Sequence, residues 1–226
     1  MTHGRDGETP RPYAPSPCSL HEVDPAHSGV ERDDPQARAD VMRWRKAERK
    51  RLIAERFEIE SSQRRAFAER IGARVEELLG EVRGVTLSAY WPIRGEPDLR
   101  ALLERLSSRG AITSLPVVVE KRRPLAFRSW TPGDKLERGV WNIPVPAAGE
   151  NVIPDIVIAA VVGFDAGCYR LGYGGGYYDR TLAALSRKPL VLGVGYSRAA
   201  IPTIYPQWHD IPMDRIVTEE GVVDPA

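Results

Sequence analysis

The stretch Asp155-Ile156-Val157-Ile158-Ala159-Ala160-Val161-Val162 is almost continuously apolar and runs straight into a glycine-rich segment. An apolar run without polar alternation is expected of a central strand covered on both faces, and so of a sheet with helices on either side. The segment that follows, Arg170-Leu171-Gly172-Tyr173-Gly174-Gly175-Gly176-Tyr177-Tyr178-Asp179-Arg180, places four glycines within five positions. Glycine lets backbone N–H groups approach a ligand closely, while Arg170, Asp179, Arg180 and the tyrosines add charge, metal-ligating oxygen and flat surface. Clustered glycines also build simple turns, but a bare turn has no use for so dense a polar set. Ligands of open α/β sheets bind beyond the carboxyl ends of strands, which is where this loop falls. It reads as a phosphate-cradling loop of its own type. Tyr177 stands where G-x-G-x-x-G needs its last glycine, and no Lys-Ser/Thr pair closes a P-loop.

The remaining pattern completes an α/β domain. Phe67, Ile71, Val75, Leu78 and Leu79 share one face of a helix that Ser61 or Ser62 is placed to cap. Val85 to Trp91 reads as a strand, and Leu99, Leu102, Leu103 and Leu106 then recur at helical spacing. Further strands are expected at Ile112–Val119, Ala126–Trp130, Val191–Tyr196 and Asp214–Thr218, with a helix from Tyr178 to Leu185 after the loop. The expected fold is a single α/β/α domain of three layers with a mixed or mostly parallel sheet, spanning residues 39–226. Residues 1–38 are rich in Pro, Asp, His and Ser and poor in large apolar side chains, a composition that predicts a disordered tail. From Val41 to Glu58 the chain is helical and basic, carrying Arg43, Arg45, Lys46, Arg49, Lys50, Arg51 and Arg56. Such a run ordinarily forms a solvated face.

Charge and cysteine usage exclude several classes. Lys and Arg number 32 against 31 Asp and Glu, so no net field recommends the chain to nucleic acid or to an anionic membrane. A basic first helix could still bind RNA locally, but the chain lacks an RNA-binding signature. The two cysteines, Cys18 and Cys168, are too far apart in sequence to suggest a disulfide framework or a zinc pair. No segment has the apolar length of a membrane span, and the first residues lack a secretory core. A reduced, cytoplasmic, monomeric protein is expected.

With Phe164-Asp165, Gly167 and the run Arg170-Leu171-Gly172 to Tyr177-Tyr178-Asp179 after a central apolar strand, the chain resembles the 5-formyltetrahydrofolate cyclo-ligase family. Tyr90-Trp91, Glu96, Leu115-Pro116, Trp141-Asn142-Ile143-Pro144 and His209-Asp210 follow in the family's order, so the resemblance extends from about Arg45 to Glu219. It implies ATP- and magnesium-dependent closure of 5-formyltetrahydrofolate to 5,10-methenyltetrahydrofolate. It also implies site residues. Arg45, Arg49 and the loop Arg170, Leu171, Gly172, Tyr173, Gly174, Gly175, Gly176, Tyr177 and Tyr178 would meet ATP, with Arg170 acting in catalysis. Trp91, Glu96 and Trp141, with Tyr173 to Tyr177, would meet the folate, and Asp179 and Asp210 would ligate Mg2+. The chain departs from the family at Tyr173 and Gly175, where some members carry basic side chains. It lacks a common glutamine near Ala199, and Val145 replaces a frequent glutamate. A non-catalytic paralogue that binds nucleotide or folate is therefore the alternative reading.

Overall fold

The computed structural model describes residues 35–226. Residues 1–34 of the expected tail lie outside the described residues. Its last four, Pro35 to Arg38, form the start of the first helix, α1 (Pro35–Glu58).

A sheet of eight strands forms the middle layer. Its centre is β1 (Thr86–Ser88) beside β7 (Ile156–Ala160), joined in parallel register with Leu87 opposite Ile156. From β1 the sheet continues through β2 (Ile112–Val117), β3 (Ala126–Ser129) and β6 (Asn151–Val152). From β7 it continues the other way through β10 (Leu190–Val194), β11 (Arg215–Val217) and β12 (Val222–Val223). The pairs around the centre are parallel, while β3, β6 and β12 add antiparallel edges.

Side-chain alternation on β7 accounts for the three layers. Ile156 and Ile158 face a cluster built with Ile71 and Val75 of α2 (Ser61–Leu79) and with Leu102, Leu103 and Leu106 of α3 (Arg100–Ser108). Val157 and Ala159 point to the opposite cluster, which includes Leu52 of α1 and, packed against it, Tyr178 and Leu182 of α4 (Tyr177–Ala184). A period of two on the strand thus divides one apolar run between two cores. Close packing also limits size, since a Cβ on Gly193 of β10 would overlap the Ile216 side chain.

Some local expectations are corrected. The α2 N-cap is Glu60, with no side-chain capping bond, and Ser61 and Ser62 lie inside the helix, because the chain enters α2 straight after the end of α1. The expected strand from Val85 to Trp91 is regular only over β1, with Val85 and Ala89 on either side still hydrogen-bonded to β2; beyond Ala89 the chain turns away, and the Tyr90 hydroxyl donates to the Pro97 carbonyl at 2.7 Å. The Pro/Gly-rich stretch contains a small ribbon of β4 (Leu136–Arg138) and β5 (Pro144–Pro146), unseen in the sequence pattern.

Candidate active site

The chain leaves β1 toward β2 and leaves β7 toward β10, so the strand order reverses between them. A crevice at their carboxyl ends is the expected ligand position. Residues 89–96 emerge there from β1. Beyond β7 come the hairpin β8 (Gly163–Phe164) and β9 (Arg170–Leu171), and then the glycine loop leading into α4.

The basic helix supplies the far wall. Its buried residues are Val41, Arg45, Glu48, Leu52 and Arg56, spaced as one helix face. Cations therefore occupy positions where a core-facing stripe would ordinarily be apolar, and each needs an acceptor. Arg45 donates from Nε to the Ile204 carbonyl (2.9 Å), from Nη2 to the Tyr205 carbonyl (2.8 Å), and to both oxygens of Asp210. Arg49 donates from Nε to the Gly172 carbonyl at 2.6 Å. Burial together with neighbouring Arg45 lowers the Arg49 pKa, opposed by Asp210. Arg56 donates to the Val161 carbonyl (2.8 Å) and to the Tyr173 hydroxyl (3.2 Å). Arg56 has no role in the expected site; the sequence signal for it is its place on the same helix face as Leu52.

Tyr173 continues this chain of contacts into the β1 segment, donating its hydroxyl to Glu96 Oε1 at 2.8 Å. Glu96 Oε2 accepts the Ile93 N–H at 2.8 Å, and Arg56 stands 4.0 Å from the carboxylate. The Glu96 side chain is only 2% exposed. Burial pushes its carboxyl above the usual range, against the hydrogen bonds from Ile93 and Tyr173 and the charge of Arg56. Partial burial of the Tyr173 phenol, with the Glu96 charge beside it, pushes its pKa up.

The two aspartates are each held by an arginine. Arg170 forms a fork on Asp179, with both N–O distances 3.1 Å, and its guanidinium lies over the Tyr178 ring. Asp179 Oδ1 also accepts the N–H of Ile211, the residue after Asp210, which brings the two carboxylate-bearing segments together. Burial alone would raise the Asp210 carboxyl, but hydrogen bonds from Arg45 and the Gln207 N–H outweigh it and hold the carboxyl below its usual range.

The two arginines that the family resemblance sets on ATP are paired with the aspartates it sets on magnesium. Arg45 is engaged by Asp210 and the 204–205 turn, and Arg170 by Asp179. Arg180 donates to the Gly175 carbonyl, lies over Tyr177, and keeps a buried Nε with no hydrogen-bond partner among the described residues. That orphaned donor beside the loop suits an anionic ligand. Trp141 stacks edge-on at 5.5 Å from Tyr177, is 61% exposed, and adopts φ 56°. Trp91 leans on the core, edge-on to Trp130 and under Arg100. Among the described residues no group of three or more His, Cys, Asp or Glu is arranged to hold a metal alone. Magnesium usually takes only one or two carboxylates, with water and substrate phosphate completing the shell. Among the described residues Asp179 Oδ2 and Asp210 Oδ1 each accept a single hydrogen bond, from an arginine, which leaves capacity for one such ligand contact apiece.

The model of the 5-formyltetrahydrofolate cyclo-ligase family matches residues 41–219. The chain is 30% identical over 152 residues to the 5-formyltetrahydrofolate cyclo-ligase of Mycolicibacterium smegmatis, covering 63% of this chain and 78% of that protein. It is 30% identical over 144 residues to the Escherichia coli enzyme of the same name, covering 61% and 79%. The solution structure of Aquifex aeolicus 5,10-methenyltetrahydrofolate synthetase superposes with a TM-score of 0.70 at 29% identity, over 80% of this chain and 92% of that one. With a family match across both core clusters, the glycine loop and the Asp210 segment, the chain belongs to the 5-formyltetrahydrofolate cyclo-ligase family.

Proposed function

We propose that this chain converts 5-formyltetrahydrofolate to 5,10-methenyltetrahydrofolate with ATP and Mg2+, and that residues 39–226 form the catalytic unit. The observation that carries the reading is the glycine loop held from both sides. The Gly172 carbonyl rests on Arg49 of the basic helix, and the Tyr173 hydroxyl rests on the buried Glu96. A nucleotide on the cationic side and a folate on the carboxylate side would therefore meet across one loop at the reversal of the sheet.

A formyl carbon on nitrogen is a poor electrophile, and its oxygen is a poor leaving group. The formyl oxygen attacks the γ-phosphorus, the bond to the β-bridging oxygen breaks, and ADP leaves. The resulting imidate phosphate makes the carbon reactive. The second folate nitrogen adds to it, the ring closes with loss of that nitrogen's proton, and the C–O bond breaks to release phosphate. Catalysis of this kind is mainly positioning and charge stabilisation.

Arg49, the orphaned Nε of Arg180 and the backbone amides of Gly172 to Tyr178 are the proposed nucleotide contacts. Glu96 is the proposed acceptor of pterin N–H groups, with the exposed Trp141 a flat surface for a folate ring. Asp179 and Asp210 are the proposed magnesium ligands, oriented by Arg170 and Arg45. Magnesium bound there would neutralise phosphate charge. The non-catalytic reading is not favoured, since a pure binding module needs neither paired aspartates nor arginines to aim them.

The direct test follows methenyltetrahydrofolate absorbance from 5-formyltetrahydrofolate, with ATP and Mg2+ omitted in turn. Product only in the complete mixture is expected. Turnover without ATP, or none under any condition, overturns the reading.

A further inference from the structure

Both oxygens of Glu96 are engaged by protein donors, Oε1 by the Tyr173 hydroxyl and Oε2 by the Ile93 N–H. The two donors differ in kind. Ile93 belongs to the same turn as Glu96, whereas Tyr173 comes from the glycine loop, 77 residues away. Glu96 is buried and Tyr173 is 40% exposed as a residue, so Tyr173 is the more exposed member of the pair, while its hydroxyl also accepts from Arg56 Nη1 at 3.2 Å. A further donor seeking Oε1 meets the position the phenol holds.

The hold on the phenol is itself conditional. Tyr173 lies between Gly172, whose carbonyl accepts from Arg49, and Gly174, which sits at φ +90°. Left-handed backbone of this kind is open to glycine and gives the loop a natural pivot next to the tyrosine. A Cβ on Gly174 would come within 3.3 Å of the Arg49 guanidinium, so cation and pivot are in contact. Among the described residues Arg49 has one hydrogen-bonded acceptor, a neutral carbonyl, and a phosphate is a far stronger partner for a guanidinium. Drawing Arg49 toward phosphate removes the strut under Gly172.

We propose that Tyr173 is a stand-in ligand of Glu96 that competes with the folate, and that nucleotide phosphate relieves the competition through Arg49 and the Gly172–Gly174 pivot. Tyr173 is thus a positioning residue that makes the two substrates bind cooperatively. This inference rests on the reading of Glu96 as the folate carboxylate and Arg49 as a phosphate contact. It gives a role to the tyrosine at a loop position where some family members carry a basic side chain.

The test is calorimetric binding of 5-formyltetrahydrofolate to the full chain, with and without a non-hydrolysable ATP analogue and Mg2+, for wild type, Tyr173→Phe and Glu96→Gln. Tyr173→Phe keeps the ring and removes only the hydroxyl at a half-exposed position, and thermal unfolding of each variant checks that it is folded. A hydrogen bond to a charged group corresponds to about tenfold or more in an equilibrium constant. Wild type is expected to bind folate roughly 5-fold or more tightly with the analogue present, the usual scale of coupling between sites. Tyr173→Phe is expected to bind folate roughly tenfold more tightly without the analogue and to respond to it by less than about twofold. Weaker folate binding by Tyr173→Phe, or an undiminished response to the analogue, overturns the proposal, since the hydroxyl would then be a folate ligand or a bystander. Unchanged folate affinity in Glu96→Gln reads differently: it refutes the assignment of Glu96 itself, and the inference falls with it.

Discussion

Replacing Arg170 with methionine should unfold the protein more readily, and a second substitution should repair much of the damage. The Arg170 and Asp179 side chains are 5% and 15% exposed, and the guanidinium meets the carboxylate at 3.1 Å through both nitrogens. Methionine fills much of the volume but leaves Asp179 a poorly solvated anion with the Ile211 N–H as its remaining donor. Removing one partner of a buried pair costs about 3–5 kcal/mol, chiefly through the stranded charge. For a chain of this size, that is a fall in Tm of roughly 6–20 °C. In the double variant Arg170→Met/Asp179→Asn no stranded charge remains. It should recover about 1–3 kcal/mol relative to Arg170→Met alone, the range found for coupled neighbours. Urea denaturation of wild type, both single variants and the double variant measures the cycle. If Arg170→Met lies within about 0.5 kcal/mol of wild type, a surface-like effect, or if the double variant is less stable than the single, the pair is not a buried strut. Kinetics of Arg170→Lys supply a second arm. Lysine keeps the charge but loses the fork, so turnover should fall and extra Mg2+ should partly restore it, because the defect lies in aiming Asp179. Loss of turnover with no response to Mg2+ would instead assign Arg170 to the phosphates directly.

Asp210→Asn should shift the magnesium dependence of activity to higher concentration and loosen Arg45, whose two carboxylate bonds it weakens; a magnesium titration that superposes on wild type refutes the ligand assignment. Glu96→Gln should gain stability relative to wild type as pH rises. Burial holds the folded Glu96 carboxyl above the unfolded value of 4.5, so the protonated form favours folding below that value and the advantage is lost as pH climbs through the folded pKa. Urea midpoints from pH 4 to 8 check this, and a constant difference between the two proteins contradicts it. Trp141→Ala should raise the KM for folate severalfold while altering stability by less than about 0.5 kcal/mol, since the side chain is largely exposed; an unchanged KM removes Trp141 from the site.

Periodicity carried much of the fold. The apolar run at β7, the leucine spacing of α3 and the Ile71/Val75 stripe of α2 could be read because burial is written locally, in the order of neighbouring residues. The glycine loop was legible for the same reason, as four glycines within five positions, flanked by charged and aromatic side chains, just beyond an apolar strand. What local order did not contain was the α2 cap, the β4–β5 ribbon, and above all which charge would meet which. Arg45 pairs with Asp210 across 165 residues, and Tyr173 reaches Glu96 across 77. The family resemblance marked Arg45, Arg170, Asp179 and Asp210 as site residues without joining them to one another. Only the tertiary structure paired them, because a buried cation takes the acceptor that the fold brings within hydrogen-bonding distance. Arg56 shows the same limit from the other side. On a helix it is one more basic residue, and it becomes part of the site only because the packing of α1 against the end of β7 removes it from water and leaves the Val161 carbonyl and the Tyr173 hydroxyl as its partners.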